Sequence, residues 1–156
     1  MKKISIANPI LDRSDINNAY KVLKSGWISS RGEFVSKFEK KFQNFFKGGF
    51  PLSVSNGTSA LELAIKSLGI KKGDEIIAPN FTFAASVNAI INCNAKPVLV
   101  DVEEHTWTIS LNEIKRKITK KTRAIIMVHI FGQPCKIDEI KNFDKKKKNI
   151  SFKKFG

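Results

Sequence analysis

Two cysteines, two histidines and four arginines in 156 residues set the first limits on this chain. Cys93 and Cys135 share no metal-ligand spacing and have no histidine in a motif with them, so both are read as reduced thiols and no metal site is expected. No apolar run approaches the length of a membrane span, and the Met1-Lys2-Lys3-Ile4 start lacks the extended apolar core of a signal peptide. A cytoplasmic protein with no membrane partner is the expectation. The scarcity of arginine bears on the formal charge of +14, which would otherwise suggest nucleic acid. Only Arg13, Arg31, Arg116 and Arg123 are present, and bidentate base readout favours arginine over lysine. Residues 141–156 hold seven Lys against one Asp, and residues 1–140 hold 21 Lys+Arg against 13 Asp+Glu. That pattern reads as a solvated, lysine-biased surface with at most weak nonspecific polyanion binding.

What the chain does have is 42% hydrophobic residues, enough for a real core, arranged in two styles. In the first third the period is helical. Ser14 can cap a helix that places Ile16, Ala19, Tyr20 and Leu23 on one face, with Gly26 closing it in the left-handed conformation. After Gly32 a second helix carries Phe34, Phe38, Phe42, Phe45 and Phe46 until Gly48-Gly49, a stripe read as core packing. From residue 51 short apolar strands alternate with helices: strand 51–55, helix 59–68, strand 75–78, helix 83–92, strand 97–101, helix 111–119 and strand 123–128. Such alternation predicts an α/β fold, a mainly parallel sheet flanked by helices on both faces. Ser110-Leu111-Asn112-Glu113 has the form of a capping box, and Ile137 to Phe143 begins a further helix.

At Ser55-Asn56-Gly57-Thr58-Ser59-Ala60-Leu61, small and φ-permissive residues open a helix. A turn of that kind points free N–H groups outward, and the helix dipole favours an anion above them. Phosphate is the natural guest.

Downstream come Gly73-Asp74-Glu75-Ile76-Ile77-Ala78-Pro79-Asn80-Phe81-Thr82-Phe83-Ala84-Ala85-Ser86, Ala95-Lys96-Pro97-Val98-Leu99-Val100-Asp101 and Val128-His129-Ile130-Phe131-Gly132-Gln133-Pro134. With Ser25-Gly26-Trp27-Ile28-Ser29-Ser30 upstream, the series resembles the sugar aminotransferases of the DegT/DnrJ/StrS type, which use pyridoxal phosphate (PLP), from about residue 4 to about residue 143. The resemblance implies that Gly57, Thr58 and Ser59 cradle the cofactor phosphate, with Thr58 giving both N–H and hydroxyl, and that Phe83 stacks on the pyridine ring. It places Trp27, Ile28, Ser29 and Ser30 in the segment that reaches the substrate and the partner subunit of a homodimer. Asp101, His129 and Gln133 follow strands and are further candidates; Asp101 is read as tying down a loop, and His129 as a structural residue. The family's layout suggests an N-terminal arm and helix over 1–32, a partial PLP-binding large domain over 33–143 and an aberrant basic tail over 144–156.

Details such as Thr106-Trp107-Thr108-Ile109 and Gly132-Gln133-Pro134-Cys135 look most like the perosamine synthase branch. The implied reaction moves an amino group from an amino acid, glutamate in the first instance, to a GDP-linked 4-keto-6-deoxymannose in polysaccharide or amino sugar biosynthesis. PLP chemistry also needs a Schiff-base Lys and a carboxylate at the ring nitrogen. The family carries these in a Ser-Phe-x-x-x-Lys motif and a Glu-Asp pair, and neither is matched here: Ser151-Phe152 is followed by Gly156 at the lysine position. The expectation is therefore a truncated chain, inactive alone and association-prone, from a reading-frame slip at Lys145-Lys146-Lys147-Lys148. The other reading is a noncatalytic fragment with at most residual PLP or phosphate binding.

Overall fold

The computed structural model describes residues 8–147, with backbone only from 144. Ser151, Phe152 and Gly156 thus lie outside the described residues. The chain divides into two compact units, Met1–Ser53 and Val54–Gly156.

The first unit holds two helices, α1 (Arg13–Ser25) and α2 (Glu33–Phe45). The α1 cap is Asp12, two residues before the expected Ser14. Asp12 Oδ1 accepts the Asp15 N–H at 2.9 Å while Asp15 Oδ2 accepts the Asp12 N–H at 3.0 Å, a reciprocal box that a serine inside the first turn cannot displace. Gly26 ends the helix at φ 72°, as expected. Along α2 the phenylalanines meet one another, Phe38 on Phe42 at 4.8 Å and Phe42 on Phe46 at 5.7 Å between ring centroids. Neither helix buries a residue, so the stripe is not core within this unit. The expected strand 51–55 is absent. Ser53 gives its N–H and hydroxyl to Glu39 Oε1 at 2.8 and 2.9 Å, and a segment anchored on a side chain has no ladder to join.

The second unit runs α3 (Gly57–Ser67), β1 (Glu75–Pro79), α4 (Ala85–Asn92), β2 (Lys96–Val100), α5 (Leu111–Lys117), β3 (Thr122–Ile125), a 3₁₀ turn at Ile130–Gly132 and α6 (Ile137–Lys147). Its sheet is parallel in the order β2-β1-β3. All five residues of central β1 are buried, as a strand covered on both faces requires. The strand's period of two then sorts the core. Ile76 and Ala78 pack with Ile65 of α3 and Ala89 and Ile90 of α4, whereas Ile77 packs on the other face with Val100, Ile114 of α5 and Ile140 of α6.

β3 stops at Ile125, three residues before the expected end. Ile126 still donates to Ile77 O at 2.8 Å, but the next rung of a parallel ladder would be donated by residue 79. That residue is Pro79, which has no N–H, so the pairing ends there and the chain turns away. Ser110 does precede α5, but the capping box does not form: its side chain makes no cap bond, and Glu113 instead pairs with Arg116 at 2.7 Å.

Candidate functional site

The helix N-terminus at Gly57 is built by Asn56. Its Oδ1 accepts the Ser59 N–H at 2.9 Å and its carbonyl accepts the Ala60 N–H at 3.1 Å. The N–H groups of Gly57 and Thr58 are left without an acceptor among the described residues. Apart from its chain neighbours and the helix's own backbone, no heavy atom lies within 4 Å of the place a Cβ would take on Gly57, so the space above the turn is open. Ser55 Oγ and Ser59 Oγ stand 3.5 Å apart beside it. Two free N–H groups, hydroxyls and the positive end of an 11-residue helix suit a phosphate. Ser59 differs from the simplest expectation for a cradle: its N–H already serves the cap, which leaves its hydroxyl for a ligand.

Because α3 returns to the start of β1 through residues 68–74, its N-terminus lies toward the C-terminal edge of the sheet. Residues from the ends of all three strands share that edge. Phe83, between β1 and α4, is 80% exposed and offers a free ring face. Asp101 directly follows β2, and its Oδ1 accepts from the Val102 N–H at 2.8 Å and from Asn80 Nδ2 at 3.2 Å. The Asn80 N–H in turn reaches Val100 O at 2.8 Å, so the ends of β1 and β2 are laced together. Beyond β3, the exposed His129 accepts the Cys135 N–H on Nδ1 at 3.0 Å. Gln133 folds back on its own chain, its N–H on Ile130 O at 2.8 Å. The Cys135 thiol donates to Val128 O at 3.1 Å, and burial pushes its pKa up, as burial does for Cys93; neither is a ready nucleophile.

Three aromatics at this edge escape a reading by periodicity. Phe81 meets Trp107 edge-on, with centroids 5.1 Å apart and ring planes at 89°, and lies 6.5 Å from Phe131. Trp107 and Phe131 take φ of 56° and 49°, which is uncommon for bulky side chains and sets their rings outward from tight turns. Nothing in the spacing of apolar residues signals a turn residue of this kind.

Trp27, Ile28, Ser29 and Ser30 belong to the first unit, directly after the α1 terminus. Trp27, Ile28 and Ser29, with Arg31 and Phe34, border a cavity of about 530 Å³ that Ser30 does not line, and Trp27 and Ile28 are 60% and 73% exposed.

A parallel sheet with helices on both faces, an open helix N-terminus and an exposed ring at the strand C-termini define an α/β protein whose open edge lies where its strands end. Residues 9–151 match the model of the DegT/DnrJ/EryC1/StrS aminotransferase family, and the chain belongs to that family. It is 44% identical over 139 residues to the GDP-perosamine synthase of Vibrio cholerae, covering 89% of this chain and 38% of that protein. Among solved structures, an aminotransferase from Psychrobacter cryohalolentis superposes with a TM-score of 0.81 at 32% identity, over 91% of this chain and 36% of that one. A GDP-4-keto-6-deoxy-D-mannose-3-dehydratase from Escherichia coli, solved with hydrated PLP, gives 0.83 at 28% identity, over 93% and 39%.

Proposed function

We propose that these residues form the phosphate- and ring-binding part of a PLP-dependent aminotransferase. Its acceptor is a nucleotide-linked keto sugar of the GDP-4-keto-6-deoxymannose kind, and its amino donor is an amino acid such as glutamate. The observation that carries the reading is the open turn at Gly57, with two unpaired N–H groups, in a chain 44% identical to a GDP-perosamine synthase. On this reading the protein works in the cytoplasm as a homodimer, and Trp27 to Ser30 meet substrate and the partner subunit.

The residues present suit the cofactor. Gly57 and Thr58 would hold its phosphate through their N–H groups, with the Thr58 and Ser59 hydroxyls as further donors, and Phe83 would lie against its ring. Bound PLP supplies a carrier for the amino group and an electron-accepting ring. The chain's own contribution is orientation: a phosphate fixed at a helix N-terminus and a ring pressed on Phe83 leave few degrees of freedom at the reacting carbon. Asp101 has one carboxylate oxygen engaged by Val102 and Asn80, which ties the β1 and β2 ends together.

The 156-residue chain, in which the Schiff-base lysine and ring carboxylate are unmatched, is expected to be inactive alone, so the test is product analysis on the gene repaired through Lys145–Lys148, with a panel of nucleotide keto sugars and glutamate as donor. Amino sugar from the GDP-linked 4-keto substrate is expected, and product from non-sugar ketones alone would remove the reading. Equilibrium dialysis with PLP gives a second readout. Gly57→Val, which fills the open space, should weaken retention at least tenfold; unchanged retention would show that the phosphate sits elsewhere.

A further inference from the structure

The segments that lead into the strands, 68–75, 93–96 and 117–123, gather at the N-terminal edge of the sheet, opposite the candidate site. Their two acids are already engaged: Glu75 with Lys96 at 3.2 Å and Asp74 with Arg123 at 3.3 Å. Lys71, Lys72, Lys117, Lys120 and Lys121 are exposed and have no ion-pair partner among the described residues. The other edge has the opposite composition. Segments 79–84, 101–110 and 126–135 contain Asp101, Glu103 and Glu104 and no Lys or Arg. The second unit is therefore electrically polar along its strands, cationic where they begin and anionic where they end.

The make-up of the cationic edge selects among polyanions. None of the exposed large apolar side chains falls in these three segments, so the edge lacks the anchors of a protein interface. Its single arginine is spent on Asp74, so a bidentate grip on nucleic acid is also missing. What is left is a set of point charges on flexible stems, suited to a diffuse layer of headgroups and not to a defined anion. We propose that this edge docks peripherally on an anionic lipid bilayer, with the strands along the membrane normal and the strand C-termini turned to water. It replaces the simpler picture of a merely solvated lysine surface.

The 156-residue chain should co-sediment with vesicles containing about one-third phosphatidylserine, not with neutral phosphatidylcholine, and should release as salt rises. Each lysine near such a surface contributes about fivefold to partitioning. The variant K71Q/K72Q/K120Q/K121Q should then lose at least about fiftyfold, while K136Q, beyond the strand C-termini of the same unit, stays near the parent. Equal binding by the edge variant would overturn the proposal. So would a loss that follows Lys145–Lys148→Gln instead, or tighter binding to single-stranded RNA than to vesicles at the same salt. A footprint on the unmodified chain needs no variant to fold: vesicles should shield Lys71, Lys72, Lys120 and Lys121 from amine acylation and leave Lys136 reactive, and uniform reactivity would refute the orientation.

Discussion

The helices of the first unit and those of the second have similar amphipathic patterns but different fates. α1 and α2 are each 13 residues long and bury nothing, whereas the shorter α4 and α5 bury Ser86, Ala89 and Ile90 in one case and Ile114 in the other. The second unit has a sheet for its helices to cover, and β1 supplies apolar side chains on both faces. An amphipathic period therefore marks which face of a helix is available for burial; whether it is buried depends on an opposing layer. In the first unit local chemistry stands in for that layer, through the Asp12–Asp15 box, the Gly26 terminus and ring contacts along α2.

The contrast is sharpest at Ile77, fully buried between β1 and the α5/α6 layer. Ile77→Ala should cost about 2–5 kcal/mol in chemical denaturation of the second unit, through lost burial and the cavity left behind. A cost below about 1 kcal/mol would mean that this layer is not packed as described. Next comes the nearly buried Glu75, whose carboxyl is held below its usual value, first by the Thr119 hydroxyl at 2.6 Å and then by Lys96. Because the folded-state value is depressed, this contribution is present at neutral pH and fades as pH falls below about 4.5. Thr119→Val should flatten that part of the melting-temperature profile and cost about 1.5 kcal/mol at pH 7; an unchanged acid limb would remove Glu75 from the account.

A smaller effect is expected at the cap of α3. Asn56→Ala leaves the Ser59 N–H unpaired and should cost about 1 kcal/mol, with phosphate or PLP retention falling in parallel if the turn is the cradle. The smallest belongs to the first unit. Phe42 is 44% exposed, so Phe42→Ala should lower stability by under about 1 kcal/mol, chiefly from its ring contacts. A loss of several kcal/mol would show that an opposing layer covers α2 in solution.

The parts of the fold that were legible in sequence are those set by periodicity. β1 follows from an apolar run between a Gly-Asp turn and a proline, and α3, α4, β2 and α5 fall within two residues of expectation at each end. Apart from the unburied Phe stripe of α2, which lacks an opposing layer in its unit, the departures come from hydrogen bonds that periodicity does not encode. Pro79 shortens a neighbouring strand by withholding a donor, Glu39 takes up the chain that reads as a strand at 51–55, and Glu113 chooses Arg116 over its cap. At the candidate site, Gly57 was legible because turn chemistry has few solutions, whereas the set of Phe81, Trp107 and Phe131 depends on positive φ at two residues that can also adopt ordinary conformations.

The bond from the Cys135 N–H to His129 Nδ1 fixes the tautomer of that imidazole. With Nδ1 occupied as an acceptor, the neutral ring must carry its proton on Nε2, the nitrogen left for other partners. His129 therefore presents a donor to this edge and no lone pair, so it can hold a carbonyl or phosphate oxygen while the backbone bond orients the ring.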